Sequence, residues 1–337
     1  MKYGIIGAGA MGLRYGVLLQ EKAGKDVEYV EPWQPNVDKI REQGGAYVSR
    51  DHENRHLVKA DIYSPEEYGE KLKREGGDPD VWIIMLKQMQ LEDALKRCAD
   101  AGIFKDHQVV FSAMNGWGHF DKILNYFPKE RIYGGTAMVA SVFNGPGDVD
   151  FIGKPGAGTM HICAMTEEIT DIEKEMVADL DKTGFNPQVT QNFRGTCLAK
   201  VIFNSVINSL CTMYEITMGQ FISYPGAMDM ARQLINEAYD ALERDGFKPI
   251  QDREAAVKEV DYVSRVANPL HYPSMYQDMH NGRKTEVDYI NGYIAEVGRR
   301  VDSPCRTQEF LRHCLHVAEL AFQIHKKEAA EAAATAK

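Results

Sequence analysis

The chain has 337 residues, 44% hydrophobic and 26% charged, a composition that excludes intrinsic disorder and supplies enough apolar side chains for a sizeable core. Two domains are expected at this length, because single cores rarely grow beyond about 250–300 residues. A net charge of −10 argues against nucleic-acid binding, which needs a basic face.

Residues 1–7 read as a short buried strand, Tyr3-Gly4-Ile5-Ile6, running into a turn. Residues 10–22 have helical spacing through Met11, Tyr15, Leu18 and Leu19. A second strand at 27–30 ends on Glu31. Further strands are expected at 47–48, 81–86 and 109–113, with helices at 36–43, 65–75 and 90–99. Strands alternating with helices imply a parallel, doubly wound sheet. After Gly134 the pattern changes. Residues 134–151 and 158–163 read as extra strands, broken at Asn144-Gly145-Pro146-Gly147 and by the Gly/Pro-rich 153–158; a helix is expected at 166–183. From about Arg194 the chain reads as helical to its end, with breaks at Tyr224-Pro225-Gly226, Asn268-Pro269 and Ser303-Pro304. The expected fold class is therefore α/β: a Rossmann-like doubly wound domain over 1–188, then an all-helical domain over 189–337. The alanine-rich tail from Lys326 reads as a solvated end.

Cys98, Cys163, Cys197, Cys211, Cys305 and Cys314 form neither a CxxC pair nor a zinc spacing. They read as reduced, buried thiols, and no metal site is expected. His313 and His316 share a helix face without a third ligand, and His52 and His56 lie in a charged loop read as solvated. No window approaches about eighteen uninterrupted apolar residues, and no n-region or cleavage site opens the chain. The expectations are no membrane segment and a cytoplasmic location.

The turn Gly7-Ala8-Gly9-Ala10-Met11-Gly12 follows the first strand and opens a helix, the context in which GxGxxG binds a dinucleotide. Gly7 permits the tight turn, Gly9 lets backbone amides approach a pyrophosphate, and Gly12 allows close helix–strand packing. The phosphates would meet the positive end of the helix. Glu31, nineteen positions after Gly12, is placed to accept hydrogen bonds from ribose 2′- and 3′-hydroxyls and to repel a 2′-phosphate, so NAD(H) is favoured over NADP(H). Lys87 and Asn115-Gly116 end two further strands at the same carboxyl edge.

The helix over 194–212 carries Lys200, Asn204 and Asn208 at i, i+4 and i+8, one face amid Val201, Ile202, Phe203, Val206, Ile207 and Leu210. A polar stripe on a buried helix needs partners. It is either a structural hydrogen-bond network or a substrate-binding face whose lysine can serve as a general acid.

Downstream, Ser274-Met275-Tyr276-Gln277-Asp278 and Thr285-Glu286-Val287-Asp288-Tyr289-Ile290-Asn291-Gly292 resemble the C-terminal signature of the ketopantoate reductase (2-dehydropantoate 2-reductase) family. The Lys-x-x-x-Asn-x-x-x-Asn helix, Lys87 and Asn115-Gly116 match in the same order, over nearly the whole chain. The resemblance implies nicotinamide-dependent reduction of a 2-keto acid to the (R)-2-hydroxy acid, with 2-dehydropantoate as first candidate. Lys200 would protonate the keto oxygen, and Glu286 would hold that lysine and bond the substrate. Asn204 and Asn208 would line the substrate site, Ser274 would contact the substrate carboxylate, Asn115 would lie beside the nicotinamide, and Lys87 near the cofactor. Trp117 and His119 would border the nicotinamide or simply pack the loop. The partner implied is a small 2-keto acid, with no nucleic acid and no membrane; a homodimer is left open.

The chain also departs from the pantoate-type pattern. Glu31-Pro32 stands where an arginine is usual, and Met218 where some members carry a substrate-binding asparagine. With Trp33 and His271-Tyr272-Pro273, these resemble an NAD-using branch of D-2-hydroxyacid dehydrogenases that act on branched or aromatic 2-keto acids. A reading from a different class is a dinucleotide-sensing regulator without catalysis, which would not need the Lys200–Glu286 pair. The β-hydroxyacid dehydrogenases share the glycine turn, but their Asp-x-Pro-Val-Ser-Gly-Gly stretch is missing here.

Overall fold

The computed structural model describes residues 1–156 and 159–335, in two compact units: 1–114 with 119–196, and 115–118 with 197–337. In the first unit, β1 (Tyr3–Ile6), α1 (Ala10–Ala23), β2 (Val27–Val30) and α2 (Gln34–Gln43) are followed by β3 (Ala46–Arg50), β4 (Glu53–Val58), β5 (Asp61–Tyr63) and α3 (Pro65–Glu75). Then come β6 (Val81–Ile84), α4 (Gln88–Asp100), β7 (Val109–Ser112), α5 (His119–Ile123), β8 (Ile132–Ala137), β9 (Ala140–Gly145), β10 (Asp148–Ile152), β11 (Met160–Ala164), α6 (Asp171–Lys182) and β12 (Pro187–Val189).

Eight strands form one sheet in the order β12-β11-β8-β7-β6-β1-β2-β5, parallel except where β11 meets β8. Strand order reverses direction at β1, where α/β sheets open a crevice at their carboxyl edge. The register aligns that edge: Ile6 lies level with Val30 and Ile84, and Ile84 with Ser112. Tyr3, Ile5, Tyr29, Ile83 and Phe111 are fully buried in the core beneath, as parallel strands covered on both faces require.

A second, four-stranded sheet, β4-β3-β10-β9, goes beyond the sequence expectation. The stretch read as a charged loop is a hairpin: Asp51 and His52 both have positive φ, of 51° and 66°, and Arg50 pairs with Glu53. Two left-handed residues are the demand of a type I′ hairpin, normally met by Asn-Gly. Here buried Asp150 compensates by accepting the His52 backbone N–H at 3.1 Å and the Ser49 hydroxyl at 2.6 Å. Arg14 of α1 ties this sheet to the first: its buried guanidinium donates to the carbonyls of Ala140 and Ile152 and lies over the Phe151 ring. Burial pushes its pKa down to about 10.

The helix expected at 166–183 starts later, at Asp171, because the Thr170 hydroxyl accepts the Glu173 N–H as an N-cap and Glu167 turns the chain at φ 63°. The expected strand start at Gly158 lies outside the described residues, as do Ala336 and Lys337 at the tail.

The second unit is helical: α7 (Phe193–Tyr214), α8 (Met218–Ser223), α9 (Ala227–Arg244), α10 (Arg253–Tyr262), α11 (Ser274–His280), α12 (Asn291–Arg300) and α13 (Arg306–Thr335), with a π-turn at Val263–Ala267. By length and composition α7 could cross a membrane, yet 83% of its apolar window is buried in protein. It is the core helix of this unit, with Leu198, Val201, Val206 and Ile207 packed among Leu234 and Ile235 of α9. All six cysteines are free, five of them buried.

The glycine turn gives the sharpest steric prediction. A Cβ on Gly12 would lie 1.7 Å from the Gly7 carbonyl oxygen, whereas one on Gly9 meets nothing within 4 Å. Gly12→Ala is therefore expected to destabilise by about 1–3 kcal/mol and Gly9→Ala to leave the urea midpoint near wild type. Equal midpoints for the two variants would contradict this packing.

Candidate functional site

Both units carry candidate site residues, and each set is described within its own unit. In the first, β1 runs into Gly7, whose φ of 98° suits glycine, and Gly7 donates its N–H to Val30 O at 2.8 Å. Gly9 is the N-cap of α1 and offers no capping side chain; no acidic residue occupies the first helical turn. The amides and dipole of this N-terminus face no built-in carboxylate on α1, and the space a Gly9 Cβ would fill is empty of protein. A cradle of this kind fits a dinucleotide pyrophosphate, held by the backbone N–H groups of Gly9, Ala10, Met11 and Gly12; Ala8, also expected to bind it, has its N–H taken by Glu31.

Glu31 ends β2 beside this turn and is buried. Its carboxylate accepts the Ala8 N–H at 2.7 Å, the Trp33 N–H at 2.8 Å and the Asn36 amide at 3.3 Å. Sequence reasoning assigned Glu31 to ribose hydroxyls. The structure shows that it first straps the glycine turn to the start of α2. A carboxylate has roughly four acceptor directions, so three bonds leave one open. Burial raises its pKa, opposed by these hydrogen bonds.

Lys87 is the partly buried N-cap of α4, after β6. The next residue, Gln88, lies 2.9 Å from His119 Nδ1 through its Nε2. His119 is fully buried, its ring 3.9 Å from that of Phe120, and burial pushes its pKa down to about 3. It is a neutral, packed residue at the start of α5.

Lys200, Asn204, Asn208, Ser274, Glu286 and Asn115 all belong to the second unit. Lys200 is partly buried on α7, and loss of hydration lowers its pKa to about 8, with the negative charge of Glu286 acting in the opposite sense. Glu286 is buried immediately before the turn Val287–Tyr289. Asn115 precedes Gly116 (φ 78°), where a Cβ would meet Tyr289 O at 2.7 Å; Trp117 donates its N–H to that same oxygen at 2.8 Å, and its ring stacks on Tyr293. The Asn-Gly pair is thus fastened to the segment that presents Glu286.

Asn204 and Asn208 are buried, and among the described residues neither side chain makes a hydrogen bond. Their amide groups keep a small accessible surface, so water or a ligand can reach them. The structural network considered for this helix does exist, on a neighbouring face: Asn291 donates to Ser205 O at 2.9 Å and to Gln308 Oε1 at 2.8 Å, while Gln308 donates to Ser205 Oγ at 3.2 Å. Sequence reasoning missed it, although Ser205 and Ser209 share a helix face four residues apart. Ser274 is the first residue of α11, partly buried. Met218 opens α8 in the apolar core, with its N–H bonded to His271 O at 3.1 Å.

No group of three or more metal-ligating side chains occurs among the described residues. His316 is instead engaged by Asp288 at 3.0 Å and Glu319 at 3.2 Å.

The coupling of Lys200 to Glu286 is measurable. A ¹³Cε titration of Lys200 should show a midpoint near 8, moving lower in Glu286→Gln, where the stabilising charge is gone. A midpoint near 10.5, or one indifferent to Glu286, would contradict the assignment.

Comparison with known proteins covers both units. Residues 3–164 match the family "Ketopantoate reductase PanE/ApbA", and residues 192–319 match "Ketopantoate reductase PanE/ApbA C terminal". The 2-dehydropantoate 2-reductase of Lactococcus lactis is 30% identical over 95% of this chain and 98% of its own; that of Aquifex aeolicus is 25% identical over 95% and 97%. Among solved structures, a D-mandelate dehydrogenase with NADH and anilino(oxo)acetate is 28% identical, covers 96% of this chain and 100% of its own, and superposes with a TM-score of 0.86. The chain belongs to the ketopantoate reductase family.

Proposed function

We propose that this protein is a cytoplasmic, nicotinamide-dependent reductase converting a 2-keto acid to the (R)-2-hydroxy acid, with 2-dehydropantoate as first candidate. The observation that carries the reading is the lysine of lowered pKa beside the charge of Glu286, on the α7 face that also bears two buried asparagines without protein partners. Bound at the glycine turn, a reduced nicotinamide supplies hydride for the keto carbon. Lys200 gives its proton to the keto oxygen, so that negative charge does not accumulate there. Glu286 keeps Lys200 protonated near neutral pH and holds its ammonium in place. Asn204 and Asn208 donate to substrate oxygens, and Ser274 bonds the carboxylate. Asn115 and Lys87 would orient the cofactor's nicotinamide and phosphate portions.

Glu31 supports NAD(H) over NADP(H): its buried negative charge at the end of β2 opposes a 2′-phosphate. The same residue, with Met218 in the apolar core, supports a second reading, an NAD-dependent D-2-hydroxyacid dehydrogenase acting on branched or aromatic 2-keto acids. The solved D-mandelate dehydrogenase shares this fold at 28% identity. We take the working assembly to be a homodimer.

The test is a panel of 2-keto acids, from 2-dehydropantoate to phenylglyoxylate, with NADH and with NADPH. Turnover with NADH in excess of NADPH is expected, and Glu31→Ala should narrow that ratio. Lys200→Ala should lower kcat by about 10²–10⁴ with NADH affinity nearly unchanged. Cofactor binding without turnover of any member would replace the enzyme by a dinucleotide sensor.

A further inference from the structure

On α13 the inner face packs against α9, α11 and α12, burying Gln308, Leu311 and Leu315. The opposite face is exposed, and apart from His313 its central stripe is apolar: Phe310 is 67% exposed, Val317 65%, Leu320 60% and Ile324 46%. Phe310, Val317 and Ile324 recur every seven residues, and His313 and Leu320 fall between them. This is the seam of a two-stranded coiled coil, on the surface of a folded domain rather than inside one.

The ends of the seam carry opposite charges. Arg306 lies eleven residues before Val317 and Glu328 eleven after it. At 100° per residue both fall within about 20° of the Val317 direction. Neither has an ion-pair partner among the described residues, and both are exposed. The stripe is therefore basic at one end, apolar through the middle and acidic at the other, spanning about 33 Å. Two copies laid antiparallel about a dyad at Val317 place each Phe310 on an Ile324, each Cys314 beside a Leu320, and each Arg306 opposite a Glu328. Laid parallel, they would set Arg306 against Arg306 and Glu328 against Glu328, which like-charge repulsion disfavours.

We propose that α13 is the dimerisation helix of this protein, pairing antiparallel with a second copy about a twofold axis at Val317. The occupant is this chain itself, because the pattern is complementary to its own reverse, as an isologous contact requires. The surface gives the homodimer reading above a definite location and is independent of the catalytic assignment, since none of these side chains belongs to the candidate site.

Cysteine cross-linking separates the possibilities. In a Cys314→Ser background, Val317→Cys should give a disulfide-linked dimer on oxidation. Phe310→Cys alone should not link, while Phe310→Cys with Ile324→Cys should. Val317→Glu should weaken self-association at least tenfold by sedimentation with activity per subunit retained. Arg306→Glu should weaken it too, and Arg306→Glu with Glu328→Arg should restore it. A wild-type protein that sediments as a monomer at all concentrations overturns the proposal. So does a dimer that links through Phe310→Cys alone, or a face that binds only a different protein.

Discussion

A primary amine carried on a core helix loses much of its hydration, and Lys200 on α7 shows the consequence. Desolvation pulls the pKa of Lys200 down to about 8, and without a counter-charge it would fall further. Glu286 supplies the counter-charge from a buried position, which itself depends on the turn at Val287–Tyr289 and on the loop that Trp117 fastens to Tyr289. The cost of carrying this charge is a folding cost as well. Because the folded pKa lies below the unfolded value, the protonated lysine opposes folding below about 8, and the penalty fades as pH rises toward 10.5. Structure is spent here on keeping one proton exchangeable near neutral pH.

The first unit obeys a constraint of another kind, close approach. Gly12 meets Gly7 at a distance no side chain tolerates, which brings the N-terminus of α1 against the edge of β1. Glu31 then fixes the turn from the side by accepting the Ala8 N–H. The strap is compatible with the cofactor selection proposed for this residue, since a carboxylate can hold the turn and still influence the local potential.

Much of this was legible in the sequence because it rests on short-range rules. The strands Tyr3–Ile6 and Val27–Val30 and the helix Pro65–Glu75 occupy the residues expected for them, since apolar runs, a Ser-Pro start and Gly stops are local signals. The face bearing Lys200, Asn204 and Asn208 followed from helical periodicity. What stayed hidden depends on partners distant in sequence. The Asp51-His52 hairpin lacks the usual Asn-Gly and is held by Asp150, about a hundred residues away. Strand β4 is exposed and polar along most of its length, so neither alternation nor hydrophobicity marked it. The anchoring of Asn115-Gly116 to Tyr289 and the bond from the Ala8 N–H to Glu31 are likewise tertiary facts.

The central claim is that one group, Lys200, moves the proton in both directions of the reaction. The most direct measurement is the pH dependence of kcat for keto-acid reduction and for hydroxy-acid oxidation by the same enzyme. Reduction needs the ammonium and should fall as pH rises through about 8; oxidation needs the free amine and should fall as pH drops through the same value. Two profiles that mirror each other about a shared midpoint are predicted. Profiles that are flat there, or that bend in the same direction, would contradict the account.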